Sequence, residues 1–269
     1  MTFSIVARAG DSFGVAVASK FLAVGAVVPA AEAEVGAVAT QSYANLAYRP
    51  QGLTFLRTGA GADATIAGLT GADAERATRQ VGVVGRDGDG ATFTGDGCHA
   101  WAGGVVGDGY AIQGNILTGP DVVDAMERAW LTTAGSLTDR LVAALLAGEA
   151  AGGDSRGRQG AALYAVAPGA GYDSGGVLAD VRVDDHPEAS TELARLLRMN
   201  DLYFGTAEHV VPLEGGLADE VGDRLQRLGF DGAPAEALAE WAGKENYEMR
   251  LSPEGIDSKV LAALRDATS

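Results

Sequence analysis

Thr2-Phe3-Ser4-Ile5-Val6-Ala7 and Gly14-Val15-Ala16-Val17-Ala18-Ser19-Lys20 flank the turn-rich stretch Ala9-Gly10-Asp11-Ser12. Short apolar runs of this kind on either side of a glycine/aspartate turn predict two strands joined as a hairpin. Working outward, two more strands are expected at 23–28 and 35–40. Helical pieces marked by Leu53/Leu56 and Ile66/Leu69 follow between Tyr48 and Ala77. Strands resume at 80–85 and 91–94 around Asp87-Gly88-Asp89-Gly90, then at 99–105 and 109–113. Two helices come next, at 120–131 with Pro120 at an early position, and at 137–150 started by Ser136 and stopped by Gly152-Gly153. Strands at 159–166 and 177–183 precede a helix at 187–202. Runs of strands and runs of helices, without strict alternation, indicate an α+β protein of stacked layers with mainly antiparallel sheets.

Near Gly205–Gly215 the texture changes. Three short helical stretches remain, at 216–228, 234–245 and 256–266, so a domain boundary is expected near residue 206: 1–205 as the main domain and 206–269 as a small helical one. The 269 residues suffice for this division, and 47% hydrophobic against 21% charged residues describes a globular chain. A formal charge of -16 repels phosphate backbones, so nucleic acid is not an expected partner. No apolar run approaches the ~20 residues of a membrane span. The amino terminus lacks the pattern of a signal peptide, which leads to the expectation of a cytoplasmic protein. One cysteine, Cys98, forbids an internal disulfide.

Thr2 carries the chemistry of most interest. Removal of Met1 would leave a threonine with both a hydroxyl nucleophile and a free α-amine, and that amine is able to serve as the hydroxyl's general base. Such a nucleophile needs a nearby cation and donors for an oxyanion. Lys20 is the one lysine in the first 243 residues, and a hairpin would return it beside Thr2; a cation there favours a neutral amine. Asn115, with the Gly114 N–H, follows a strand and offers oxyanion donors. Gln41 and Asn45 are candidates for contacts to a substrate amide. Asp154, in a glycine-rich loop, can anchor the amine. Each has a plainer structural reading as well: a solvated strand-end lysine, turn asparagines, a turn-capping aspartate.

Other chemistries fit less well. Asp184-Asp185-His186 are consecutive and would point to opposite faces of a strand, and the three histidines form no helical i, i+4 pair, so no metal is expected. There is no Gly-x-Ser-x-Gly elbow. Cys98 and His99 are sequence neighbours, a poor geometry for a thiol–imidazole pair.

Several strings are similar to those of the domain-of-unknown-function 1028 family. They are Thr2-Phe3-Ser4-Ile5-Val6-Ala7, Gly14-Val15-Ala16-Val17-Ala18-Ser19-Lys20-Phe21, Ala23-Val24-Gly25-Ala26-Val27-Val28-Pro29, Gly36-Ala37-Val38-Ala39-Thr40-Gln41, Arg79-Gln80-Val81-Gly82-Val83-Val84, Gln113-Gly114-Asn115-Ile116-Leu117 and Val181-Arg182-Val183-Asp184-Asp185-His186-Pro187. The likeness covers about residues 2–203. It implies a four-layer αββα sandwich of the N-terminal-nucleophile (Ntn) hydrolase type, with Thr2 attacking an amide carbonyl. Asp154-Ser155-Arg156-Gly157 resembles a loop that fixes the free amine, and Gly114-Asn115 resembles an oxyanion element. The tail, with Leu225-Gln226-Arg227-Leu228-Gly229-Phe230, Trp241-Ala242-Gly243-Lys244-Glu245-Asn246-Tyr247 and Gly255-Ile256-Asp257, resembles a small peptidoglycan-binding module over about 210–269.

The combined expectation is an Ntn-type amidohydrolase acting on a small-molecule or peptide substrate. It needs no metal or organic cofactor and has no nucleic-acid or membrane partner. Ntn folds often assemble, so a homo-oligomer is expected. The alternative is a non-catalytic binding protein of the same fold that recognises a small amide or muropeptide.

Overall fold

A computed structural model describes residues 2–172 and 174–269. It is a mixed α and β structure in two compact units, Met1–Leu197 and Arg198–Ser269. The division falls inside a helix that continues to Phe204, earlier in the chain than the change of composition near 206.

The first unit opens with β1 (Thr2–Ala9) and β2 (Ser12–Ser19), paired antiparallel with Phe3 opposite Ala18 and Ala9 opposite Ser12. The two-residue turn uses Gly10 in the left-handed region, φ 60°. β3 (Pro29–Glu32), β4 (Gly36–Ser42), α1 (Tyr48–Arg57), α2 (Ala62–Gly71), β5 (Arg79–Gly85) and β6 (Gly90–Thr94) follow. Then come β7 (Gly103–Gly107), β8 (Tyr110–Asn115), α3 (Asp121–Thr132), α4 (Leu137–Ala150), β9 (Gly160–Val166), β10 (Val177–Val183) and α5 (Ala189–Phe204). Ser136 starts α4 through a capping box with Asp139, which satisfies two otherwise orphaned donors.

The strands form an antiparallel six-stranded sheet, β10-β9-β2-β1-β8-β7, and an antiparallel four-stranded sheet, β3-β4-β5-β6. Strand alternation sorts the core. Phe3, Ile5, Ala16, Ile112 and Leu163 face one way, against Met126, Trp130, Leu141, Leu145 and Leu193 of α3, α4 and α5. Val6, Val15, Val17 and Ala111 face the other way and pack on Ala37, Ala39 and Val84 of the second sheet. The far face of that sheet, through Val38, Val81 and Val83, meets Tyr48, Leu53, Leu56, Ile66 and Leu69 of α1 and α2.

One expected strand is absent. Residues 23–28 form a single 3-10 turn at Val24–Ala26, entered through Ala23 at φ 52°. A side chain at Gly25 would meet Ala162 Cβ at 2.4 Å, so the turn lies tight against β9.

The second unit consists of α6 (Gly215–Arg227), α7 (Pro234–Lys244) and α8 (Ser258–Ala267), with a short pair β11 (Val210–Val211) and β12 (Ile256–Asp257). Val221, Leu225, Phe230, Leu238, Trp241, Ile256, Val260 and Leu264 form its core. Trp241 and Phe230 are therefore core residues here. Among the described residues, no helix is long and apolar enough to cross a membrane.

Candidate functional site

The layer between the two sheets changes character along the strands. At one end it is apolar, as above. At the other, the same inward-facing register carries Thr2 and Ser4 on β1, Ser19 on β2, Gln41 on β4, Gln80 on β5, and Gln113 and Asn115 on β8. All seven side chains are buried. Buried polar groups must find partners, and these form one connected network.

Ser4 Oγ donates to Gln41 Oε1 at 2.7 Å and accepts from Gln113 Nε2 at 2.6 Å. Gln41 Nε2 donates to Gln80 Oε1 (2.8 Å), to the Thr2 carbonyl (3.2 Å) and to the Gln113 carbonyl (3.3 Å). Gln80 Nε2 donates to the Gly114 carbonyl (2.7 Å), Thr94 Oγ1 (2.9 Å) and the Gly103 carbonyl (3.3 Å). Gln113 Oε1 accepts from Thr92 Oγ1 at 3.3 Å. Gly82 faces this network without a side chain, since a Cβ there would sit 2.1 Å from Gln113 Oε1.

Thr2 begins β1 and is only 6% exposed. Its Oγ1 lies 3.1 Å from Ser19 Oγ, and its carbonyl is held by Gln41. The hydroxyl is thus placed by two strands and the carbonyl by the facing sheet.

Lys20 does not occupy the position expected for it. The hairpin register that sets Phe3 opposite Ala18 brings Ser19 beside Thr2, and Lys20 lies one residue beyond. Its side chain is exposed, with Nζ donating to the Arg158 carbonyl at 3.1 Å. Its backbone N–H donates to Asp154 Oδ2 at 2.7 Å. Asp154 is buried, accepts from the Arg156 N–H at 2.9 Å and pairs with the Arg156 guanidinium at 3.2 Å. Lys20 and Asp154 therefore meet through the backbone, and the carboxylate fixes the chain where it leaves β2, directly after Ser19.

Asn115 is Thr2's direct partner across β1 and β8. Gln80 Nε2 faces two backbone carbonyls, which settles that its Oε1 is the acceptor for Asn115 Nδ2, at 2.9 Å. One of the two hydrogens of the Asn115 amide nitrogen is thereby committed to Gln80, which leaves the second for the oxyanion role expected of it. Its Oδ1 is buried and, among the described residues, has no hydrogen-bond partner.

Gly114 differs from expectation as well. Arg8 N–H donates to the Gly109 carbonyl, so even-numbered residues of β1 turn their N–H groups toward β8. Thr2 and Asn115 are then a hydrogen-bonded pair, and Gly114 turns its N–H away from β1, toward Gly103 of β7. That N–H lies in the plane of the sheet and does not point into the inter-sheet layer.

Gln41, expected at a substrate amide, is buried within the network. Asn45 is a loop residue: its Oδ1 accepts from the Ala47 N–H at 3.1 Å and its Nδ2 donates to Asp73 Oδ2 at 3.2 Å. Tyr48 (2.8 Å) and Arg79 (3.0 Å) converge on the same oxygen. The Arg79 guanidinium holds the Asp73 carboxyl well below the usual carboxylate range, and burial pushes the Tyr48 hydroxyl well above its ordinary value.

Sequence reading missed Ser4, Ser19, Gln80 and Gln113. Their signal is a polar residue at the inward position of an otherwise apolar strand. Among the described residues no group of three His, Cys, Asp or Glu side chains converges as a metal would require.

The chain is similar to the crystal structure of a Silicibacter pomeroyi protein assigned to the DUF1028 family model, with 27% identity and a TM-score of 0.68. The match covers 81% of this chain and 92% of that one. No curated protein matches. Residues 203–264 match a model described as "Putative peptidoglycan binding domain". Residues 2–193, well over half of the chain, match the family of unknown function DUF1028, and the protein belongs to that family.

Proposed function

We propose that this protein is an Ntn-type amidohydrolase in which Thr2, freed by removal of Met1, is the nucleophile. The reading takes the succession of α3/α4, six-stranded sheet, four-stranded sheet and α1/α2 as a four-layer αββα sandwich. The observation that carries it is the placement of Thr2: a buried hydroxyl 3.1 Å from Ser19 Oγ, at the polar end of the inter-sheet layer.

In this mechanism the Thr2 amine takes the hydroxyl proton as Oγ1 bonds to the amide carbon. The tetrahedral intermediate collapses, the C–N bond breaks, and the leaving nitrogen receives the proton from the Thr2 ammonium. Water, deprotonated by the same amine, then releases the acid from the Thr2 ester. Asp154 and the Lys20 N–H hold the end of β2, and so the Ser19 hydroxyl.

The test is an intact mass with and without an epoxyketone that reacts with N-terminal threonine. The expected result is loss of Met1 and one adduct at Thr2, absent in a folded Thr2→Ala variant. Retention of Met1 would overturn the proposal. It would favour the second reading, a binding protein of the same fold, whose supporting observation is that Lys20 Nζ is engaged by the Arg158 carbonyl.

A further inference from the structure

The polar network leaves one atom over. Around Thr2, the amide side chains of Gln41, Gln80 and Gln113 all have partners for both oxygen and nitrogen. Asn115 has a partner for Nδ2 alone. Its Oδ1 is buried, in a residue 1% exposed, and accepts nothing among the described residues. An acceptor in that condition is destabilising unless a donor arrives, so it marks a place where one is missing.

Its surroundings indicate which donor. Asn115 and Thr2 are directly opposed, and Thr2 turns its backbone nitrogen toward Asn115. Residues so paired sit about 5.5 Å apart at Cα, with both side chains on one face of the sheet. In a Met1–Thr2 peptide that nitrogen carries a single hydrogen, which the ladder directs to the Asn115 carbonyl. Cleavage turns it into an amine with additional hydrogens. The extra donors and the unused acceptor arise on the same pair of residues.

We infer that Asn115 Oδ1 receives a hydrogen from the α-amine of mature Thr2, making Asn115 a positioning residue for the base. The inference rests on the N-terminal-nucleophile reading above. It also accounts for the choice of side chain. A neutral amide orients the amine without adding a charge, so the amine can still lose its proton near neutral pH. A carboxylate there would hold it as an ammonium and disable it as a base.

The test reads the amine directly and needs no substrate. Wild-type, Asn115→Leu and Asn115→Asp proteins are acylated with an N-hydroxysuccinimide ester between about pH 5 and about pH 10, a range that brackets an α-amine. The N-terminal peptide is then quantified by mass spectrometry. Relative to wild type, the midpoint should fall in the leucine variant, which no longer accepts from the charged form. It should rise in the aspartate variant, by about one pH unit, or roughly tenfold in rate on the acid limb. The rise should persist at ~1 M salt, where charges further apart than about 3 Å are screened.

Equal midpoints in the three proteins, or a rise abolished by salt, would overturn the inference while leaving Thr2 as nucleophile. If the leucine variant does not fold, the aspartate midpoint and its salt response decide alone. A peptide that still begins with Met1 would overturn both the inference and the reading beneath it.

Discussion

Thr2 Oγ1 and Ser19 Oγ lie 3.1 Å apart on neighbouring strands, seventeen residues apart in sequence. The contact depends on the turn at Gly10 and Asp11, which fixes the register of the whole hairpin. The neighbouring hydroxyl limits the rotamers of the threonine and shares its proton. Ser19→Ala should slow labelling of Thr2 by an N-terminal threonine probe by about fivefold, the effect of one hydrogen bond worth ~1 kcal/mol. Fold and melting temperature should change little. An unchanged second-order labelling rate would show that Ser19 only fills space.

Gly82 offers a test of the network's packing. A methyl group at this position would meet Gln113 Oε1 at 2.1 Å and Gln113 Cδ at 2.5 Å. The glutamine cannot swing away without giving up its bonds to Ser4 and Thr92. Gly82→Ala should therefore destabilise the first unit by about 1–3 kcal/mol, the usual range for overpacking, although Ala is ordinarily the better residue in a strand. Urea denaturation measures it. A stability equal to wild type would mean that the network relaxes freely.

These two sites show what local sequence carries and what it does not. The hairpin was legible because alternation and a glycine turn are both local. Its pairing was countable too: closing Ala9 on Ser12 sets Ser19, not Lys20, against Thr2. The inter-sheet network was not legible. Ser4, Gln80 and Gln113 each look like polar residues on the wet face of a half-buried strand, until a second sheet covers that face. Nothing near Asn115 in sequence announces that its amide nitrogen donates to Gln80, thirty-five residues away. Residues 23–28 have the composition of a strand, and the contact with Ala162 that requires a glycine at 25 comes from β9, far away in sequence.

Asp73 ties the loop after β4 to β5 and supplies a pH dependence. Its carboxyl is held well below the ordinary value, first by the hydrogen bond from Arg79, with further lowering by the Glu75 N–H, Tyr48 and Asn45; burial acts the other way. A group whose pKa is depressed by folding stabilises the fold in its charged form. The contribution is complete above the unfolded value near ~4 and is lost as the pH falls below it toward the folded value. Asp73→Asn should lower stability at neutral pH by about 1.5–3 kcal/mol, the range for hydrogen bonds to a charged group. The gap between variant and wild type should shrink as the pH drops below ~4. Urea melts across pH measure it; a gap that stays constant would exclude Asp73 as the titrating group.

In the second unit the corresponding keystone is Arg250, whose side chain is fully buried. Its guanidinium donates to the Asp201 carbonyl at 2.7 Å and to the Thr206 carbonyl at 2.8 Å, and it pairs with Asp201 Oδ1 at 2.9 Å and Asp257 Oδ2 at 3.5 Å. The absence of a side chain on Gly205 leaves room for the fork, since a Cβ there would sit 2.4 Å from Arg250 Nη2. Asp257 in turn caps α8 through the N–H groups of Lys259 and Val260. Replacing the cation leaves the buried Asp257 carboxylate without its opposite charge and removes the donor to the Thr206 carbonyl. Arg250→Met should thus destabilise this unit by about 3–5 kcal/mol, the range for breaking a buried ion pair from one side. Arg250→Lys keeps the charge but not the planar fork, and should recover only part of the loss. Hydrogen exchange at the amides of α8 reports the unit directly. Faster exchange in both variants, with the methionine variant faster, is the expected order; a lysine variant equal to wild type would mean that charge alone, and not the fork, holds these residues together.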